Sequence, residues 1–328
     1  MKDGYCQLNE LLWTDRRFRS FRIAVDAAIR LTAAADRFCR KGGGRLQDGE
    51  ILVHPEKGRV RIEESAKASQ DLDAIPDPGS AEEGTSGDRY ALAVLIFRFL
   101  AGGTHPMAGR RSVRPVLTRE MKRELFQENP LFMFDPDNDD NRPDPKLHQE
   151  AIALWMILPD WMKDIFLQVF SARGLKEPEG RPSEMAWAKA LIRFQNRMLP
   201  CRCGNVLFDT GEDEYKCDRC GREITIGYRI ETGTEQIPAV VGNRLYHLPA
   251  EDGSSWDPDP IARLVGPADE GKRTGIQNIS GKPWEAITTK GEIRAVDADE
   301  VVPVKGGIRC LCDNEAIQII ETNRTGEK

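Results

Sequence analysis

The residues best placed to do chemistry in this chain are four cysteines in two tight pairs, Cys201-Arg-Cys203-Gly204 and Cys217-Asp-Arg-Cys220-Gly221, separated by a short spacer. That spacing lets four thiolates converge on one ion, as in a structural zinc site that keeps no position open for a substrate. A glycine directly after the second cysteine of each pair permits the backbone to turn so that amides point at sulfur. Cys201, Cys203, Cys217 and Cys220 are therefore the predicted ligands. The ion would contribute on the order of 10 kcal/mol to a subdomain too small for a core of its own. A redox dithiol pair is the alternative chemistry for the same thiols, and the Cys201-Arg-Cys203 turn is one residue tighter than the usual spacing. Between the pairs, Val206-Leu-Phe208 and Glu214-Tyr-Lys216 are predicted to form a hairpin. Cys310 and Cys312 share one face of a predicted strand and are expected in a core, and Cys6 and Cys39 are expected to be packing thiols.

The other reactive side chains are sparse. His54, His105, His148 and His247 are isolated in sequence, and none is assigned to catalysis. Asp135-Pro-Asp137-Asn-Asp139-Asp140-Asn141 has the alternating carboxylates that start a calcium loop, without the turn glycine or the closing glutamate. A solvated insertion is the expectation there. Eight cysteines, four of them in metal spacing, fit reduced thiols plus a metal better than a disulfide framework. A net charge of −6 over 328 residues offers no basic field for nucleic acid. The opening residues lack the basic and apolar blocks of a signal peptide, and the apolar run around Tyr90 to Phe97 is too short to span a bilayer. The expectation is a cytoplasmic protein with neither nucleic acid nor membrane as partner.

The elements that must position these residues fall into three zones, giving a multi-domain α+β expectation: a mainly helical part over 1–198, the cysteine ribbon over 199–227, and a β-sandwich over 228–328. Helical spacing links Phe21, Val25, Ala28, Ile29 and Leu31, then Trp161, Ile165, Phe166, Val169 and Phe170, and then Trp187, Leu191 and Phe194. After Gly221 the period shortens. Glu223 to Ile230, Ala239 to Val241, Arg244 to Leu248, Trp284 to Ile287, Val301 to Val304, Ile308 to Cys312 and Ala316 to Ile320 read as short strands cut by Gly, Asp and Pro turns.

Several motifs in the helical zone occur in the order found in a bacterial serine/threonine protein kinase C-terminal lobe, which the zone resembles. Asp88-Arg-Tyr-Ala-Leu-Ala-Val-Leu-Ile-Phe is similar to the start of that lobe's large buried helix, where an aspartate holds the catalytic loop. Gly102-Gly-Thr-His-Pro106 matches its exit, and Gly180-Arg181-Pro-Ser to Trp187 matches the signature between the last helices. The resemblance implies an ion pair between Arg181 and Asp77, the latter standing where the family has a glutamate. The segment Asn129 to Pro143, Leu154-Trp155 and the cysteine ribbon together resemble the kinases encoded beside a von Willebrand A-domain protein and a metal-dependent phosphatase in tellurite-resistance-associated loci. Gly275-Ile-Gln-Asn278-Ile-Ser280 to Trp284, Lys290-Gly291 and Val301 to Leu311 are similar to the last strands of a forkhead-associated-like sandwich. In that family the asparagine braces loops that bind phosphothreonine peptides. The arginine and serine–arginine pair that hold the phosphate there have no unique counterpart among Arg244, Arg263, Lys272 and Arg273. A purely structural sandwich, or a docking surface indifferent to phosphate, stays open.

The departures from the kinase pattern decide the expected function. Aligned through Asp48-Gly49 and Gly58, the catalytic aspartate becomes Arg45, the metal-binding asparagine Glu50 and the second metal-binding aspartate Glu64. Arginine, with a pKa above about 12, cannot accept a substrate proton. With 87 residues before Asp88, the chain is also expected to lack the glycine-rich loop and β3 lysine of an N-terminal lobe. The resemblance thus implies a catalytically inactive pseudokinase, with no ATP or magnesium, serving as a scaffold or regulator. Its implied partners are the phosphatase, the von Willebrand A-domain protein or a true kinase. The alternatives are a kinase subunit completed by a second chain, and a phosphopeptide-binding adaptor.

Overall fold

The computed structural model describes residues 4–13, 18–41, 46, 50–63, 85–233, 235–249, 256–266, 274–312 and 315–322. The chain divides into two compact units, Met1–Leu191 and Ile192–Ala250 with Trp256–Lys328. It mixes helices with several sheets, and every strand pairing among the described residues is antiparallel. No described helix is long and apolar enough to cross a membrane.

The first unit opens with β1 (Cys6–Gln7), α1 (Leu8–Trp13), α2 (Phe21–Arg40), β2 (Ile51–His54) and β3 (Arg59–Ile62). Helix α2 begins where the Ser20 Oγ accepts the Ile23 N–H at 3.3 Å, and it is rich in alanine, the best helix former. Its buried face runs from Ala24 to Ala35, broken only by Arg30. The hairpin β2–β3 turns at Gly58, whose φ of +64° favours glycine. A Cβ there would stand 2.9 Å from the Ile23 carbonyl oxygen, so the missing side chain is what lets the hairpin lie against α2.

Helix α3 (Thr85–Leu100) carries the motif that begins at Asp88. From Tyr90 to Ala101 every residue is buried, as expected of a helix apolar on all sides. It stops at Gly102 and Gly103, both with positive φ, where the Gly103 N–H closes back on the Arg98 carbonyl at 2.8 Å. Then follow α4 (Arg119–Arg123), α5 (Gln149–Ile157), α6 (Asp160–Phe170), α7 (Ala172–Lys176) and α8 (Glu184–Asn196). Phe97 is the centre of their packing: its ring meets Phe166 edge-on at 5.4 Å, Phe132 at 5.9 Å and Phe170 at 6.3 Å. Phe166 in turn packs on Trp187 at 4.9 Å. The helical spacing read from the sequence therefore names the right faces of α2, α6 and α8.

The second unit opens with two short ribbons. β4 (Met198–Pro200) pairs with β5 (Val206–Phe208), and β6 (Glu214–Lys216) with β7 (Glu223–Thr225). The expected hairpin between Val206–Phe208 and Glu214–Lys216 does not form, because each strand pairs across its own cysteine turn. The remaining strands are β8 (Tyr228–Thr232), β9 (Glu235–Pro238), β10 (Arg244–Leu245), β11 (Ala262–Val265), β12 (Gly275–Asn278), β13 (Trp284–Ile287), β14 (Ile293–Val296), β15 (Val301–Pro303), β16 (Arg309–Cys312) and β17 (Glu315–Glu321). They make a four-stranded sheet, β10-β11-β12-β15, and a six-stranded sheet, β14-β13-β16-β17-β8-β9. Both sheets feed one core: Leu245, Leu264, Ile276 and Val302 from the first, and Ile230, Trp284, Ile317 and Ile319 from the second. Cys310 and Cys312 lie in that core, where burial pushes the Cys310 thiol up to about 11. Ala239–Val241 is a turn rather than a strand, with the Asn243 N–H bonded to the Val240 carbonyl and Gly242 at φ +95°.

Candidate functional site

Each ribbon ends in a knuckle with the same wiring. In the first, the Cys201 N–H bonds to the Asn205 carbonyl and the Gly204 N–H to the Cys201 carbonyl, both at 2.9 Å. In the second, the Cys217 N–H bonds to the Arg222 carbonyl and the Gly221 N–H to the Cys217 carbonyl, both at 2.8 Å. Gly204 and Gly221 sit at φ +87° and +71°, a conformation that other side chains adopt only with strain. The extra residue in the second pair is thus absorbed without changing the end state.

The knuckles bring the four sulfurs together within 4.8 Å of one another. Cys201 Sγ lies 3.6 Å from Cys220 Sγ, and Cys203 Sγ lies 3.7 Å from Cys217 Sγ. A tetrahedron of sulfurs about 2.3 Å from a central zinc has edges of about 3.8 Å, whereas a disulfide needs about 2.05 Å. The donor set therefore fits a metal ion, and the cluster could hold one. Asn205 joins the two halves, donating its Nδ2 to the Cys217 sulfur at 3.7 Å and to Asp218 Oδ1 at 2.6 Å.

Electrostatics set Cys217 and Cys220 apart. Burial raises the Cys217 thiol, but the N–H groups of Cys220 and Arg219 and the Asn205 amide outweigh it and bring Cys217 to about 6. At Cys220 the Arg222 N–H favours the thiolate, yet hydrogen bonding with Cys203 and Cys201 holds the proton and lifts the group to about 12. Cys217 thus favours the thiolate that a ligand needs, and a bound cation would displace the proton from Cys220.

A second arrangement, which sequence reasoning missed, ties the ribbons to the six-stranded sheet. Arg229 on β8 reaches Asp209, just after β5, through Nη1 at 2.7 Å and Nη2 at 3.2 Å, and both side chains are buried. The Tyr215 hydroxyl of β6 donates to Asp209 Oδ1 at 2.6 Å, and Arg229 Nη2 also donates to the Glu212 carbonyl at 2.6 Å. Burial pushes the Asp209 carboxyl up, but the bonds from Arg229, Tyr215 and the Gly211 N–H prevail and hold it below the usual range. No local spacing announces a pair twenty positions apart, one member on a strand and the other just past one.

Asn278 organises the far loops of the sandwich. Fully buried, its Nδ2 donates to the carbonyls of Lys282 at 2.7 Å and Val296 at 3.1 Å. Its Oδ1 accepts the Ser280 N–H and hydroxyl, and the Trp284 indole N–H donates to that hydroxyl at 3.1 Å.

The kinase-motif residues are less completely visible. Arg45, Glu64 and Asp77 lie outside the described residues, as do Lys272 and Arg273, so the expected Asp77–Arg181 contact does too. Asp88 is in the first turn of α3. Glu50 begins the β2–β3 hairpin, its carbonyl accepting the Glu63 N–H at 2.9 Å. Arg181 is buried, with its guanidinium 5.3 Å from the centre of the Tyr90 ring and its Nε donating to the Gly174 carbonyl at 3.2 Å. Trp187 is fully buried against Phe166.

The acidic loop meets expectation in part, with Asp137, Asp139 and Asp140 exposed to solvent. Asp135 and Asn141 are buried, not solvated. The Asn141 side chain donates to the Met107 carbonyl at 2.9 Å and accepts the Arg111 N–H at 3.1 Å, while Asp135 Oδ1 caps the Asp137 N–H at 3.0 Å. Asp135 holds the loop's own backbone and Asn141 ties the loop to the segment after α3, so both stay inside.

No protein-family model matches the chain. It is 29% identical over 131 residues to Protein kinase YegI of Escherichia coli K12, and 28% identical over 131 residues to the protein of the same name from Escherichia coli O157:H7. The chain is distantly similar to a protein kinase. The aligned stretch takes in 40% of this chain and 19% of either relative, so the chain spans about a fifth of the length of the curated relatives it matches.

Proposed function

We infer that this chain is a kinase-related protein that does not transfer phosphate and works as a scaffold or regulatory partner in a bacterial phosphorylation-linked complex. The observation that carries the reading is Arg45. At the position aligned with the catalytic aspartate it presents a permanent cation, which cannot take the proton of an attacking hydroxyl. Glu50 and Glu64 stand at the two metal-binding positions, further departures from the pattern. In this reading the succession of α2, the β2–β3 hairpin and the buried α3 corresponds to the core of a kinase C-terminal lobe. Zinc is the structural ion of the four cysteines, and the two-sheet unit is forkhead-associated-like, with Asn278 as its loop brace. The partners are a metal-dependent phosphatase, a von Willebrand A-domain protein or an active kinase.

Zinc would hold the two knuckles at a fixed separation and neutralise the thiolates; all four sulfurs being ligands, it has no open position for substrate. The second reading, an active kinase subunit completed by another chain, is favoured by the name borne by both curated relatives. Calorimetric titration with ATP and magnesium, together with radiolabelled γ-phosphoryl transfer to a general substrate, separates the two. The inactive scaffold is expected to show neither heat of binding nor label. Magnesium-dependent ATP affinity, or label on substrate that disappears when Glu50 is changed to alanine, would establish the enzyme instead. Elemental analysis of the purified protein is expected to find one zinc per chain.

A further inference from the structure

We propose that the first unit carries a docking groove for an acidic, apolar-anchored peptide segment of a partner protein, formed by the loop after Gly109 and the residues leading into α5. Ser112, Val113, Arg114, Pro115, Leu147 and His148 line an open groove of about 410 Å³. Its apolar side chains face solvent: Leu147 is 64% exposed and Val113 41%, with Val116 at 72% beside them. Solvated apolar residues around a concavity mark a contact surface more often than chance scatter does.

Both walls are held in place before any partner arrives. On one side the Arg110 N–H bonds to the Arg142 carbonyl at 2.9 Å, the Arg111 N–H to Asn141 Oδ1, and Arg111 Nη1 to the Asn129 carbonyl at 2.8 Å. On the other, Asp144 Oδ1 accepts the N–H groups of Lys146 and Leu147, and the Asp144 N–H bonds to His148 Nδ1 at 2.8 Å. Buried polar Asn141 thus serves the groove by fixing its rim. A preformed groove loses little freedom on binding.

Charge selects the occupant. In the two wall segments, Arg110–Pro115 and Asp144–His148, stand Arg110, Arg111, Arg114 and Lys146 against the single acid Asp144, in a chain whose net charge is −6. Among the described residues neither Arg110 nor Arg114 forms a salt bridge, whereas Arg123 is paired with Glu128. Arg114 in the lining, with Arg110, Arg111 and Lys146 close to lining residues in the chain, complements a segment that alternates carboxylates with an aliphatic or aromatic anchor. Nucleic acid would use the same cations but ask for stacking platforms, and the groove offers aliphatic side chains instead.

The test uses the full chain and three labelled probes of equal charge followed by fluorescence anisotropy. These are a peptide pool alternating Glu or Asp with Leu or Phe, a pool alternating Glu or Asp with Ser, and a single-stranded DNA oligomer. The acid-and-apolar pool is expected to bind at least about tenfold more tightly than the others, and to weaken with salt. Leu147→Ser and Arg114→Glu should each remove that preference, leaving melting unchanged since both side chains are on the surface. Met156→Ser, at an exposed apolar residue outside the groove lining, should leave it intact. Equal binding of the two peptide pools would overturn the proposal, as would DNA binding indifferent to Leu147→Ser, no binding at all, or a Leu147-dependent dimer in sedimentation.

Discussion

The two units keep their shape by different means. The first is held by ring against ring, with Phe97, Phe132, Phe166, Phe170 and Trp187 in mutual contact, and fully buried side chains along α3. The second starts from two ribbons of three-residue strands, which bury little beyond Met198, Leu199 and Ile226 and are joined by four sulfurs, the Asn205 amide and the Asp209–Arg229 ion pair. Apolar packing is spread over many contacts and fails gradually, whereas a site made of four ligands fails when one is lost. The lesson is that the same chain should answer quite differently to an agent that attacks metal and to one that attacks packing.

The largest effect should come from the sulfurs. With the proposed zinc bound, removing it with a strong chelator, or making Cys201→Ser with Cys217→Ser, is expected to cost the ribbons on the order of 10 kcal/mol and unfold them locally. Amide exchange should rise across Met198–Thr225 and not across α3; an equal rise in both units would break the comparison. The reciprocal substitution, Phe97→Ala, removes the ring at the centre of the aromatic cluster and is expected to cost about 3–5 kcal/mol in the first unit. Zinc content should be unchanged in that variant, and loss of metal on Phe97→Ala would mean that the units are not independent.

The smallest effect is a pH dependence. Burial, and then the neighbouring Arg98 charge, hold the His105 imidazole well down, to about 3 from an ordinary 6.5. Because the folded value is the lower one, the stabilisation from neutral His105 is present above pH 6.5 and is lost as pH falls from 6.5 toward 3. Burial depresses His148 as well, in the same direction. Urea midpoints of the first unit, measured from pH 7.5 down to 4.5, should fall more steeply for the parent than for His105→Gln. Comparing the two proteins cancels the acid release of metal from the thiolates. Parallel curves would show that His105 is not the group that titrates.

What the sequence made legible was local. The two cysteine pairs could be read because metal spacing is a matter of a few residues, and α2, α6 and α8 because burial repeats every turn. The partner of each ribbon strand could not be read from composition: Val206–Phe208 is as compatible with Glu214–Lys216 as with Met198–Pro200, and knuckle closure decides between them. The Asp209–Arg229 pair joins the residue after β5 to β8, and nothing in either neighbourhood marks its members as inward-facing. Asp135 and Asn141 mislead for a related reason. Side-chain polarity suggests water, but a polar group that satisfies backbone groups of its own loop or of a neighbouring one belongs inside. At the other end of the sandwich, Asn278 was singled out from the sequence, while its three carbonyl acceptors become visible only in the fold.

The buried link between Asp209 and Arg229 bears on how the tail can be studied in isolation. A fragment cut at Tyr228, however complete its two sheets, would carry a guanidinium stripped of the Asp209 carboxylate and the Glu212 carbonyl that it bonds here. A soluble, well-behaved version of the tail should therefore begin upstream, at about Ile192, so that the ribbons travel with the sheets they anchor.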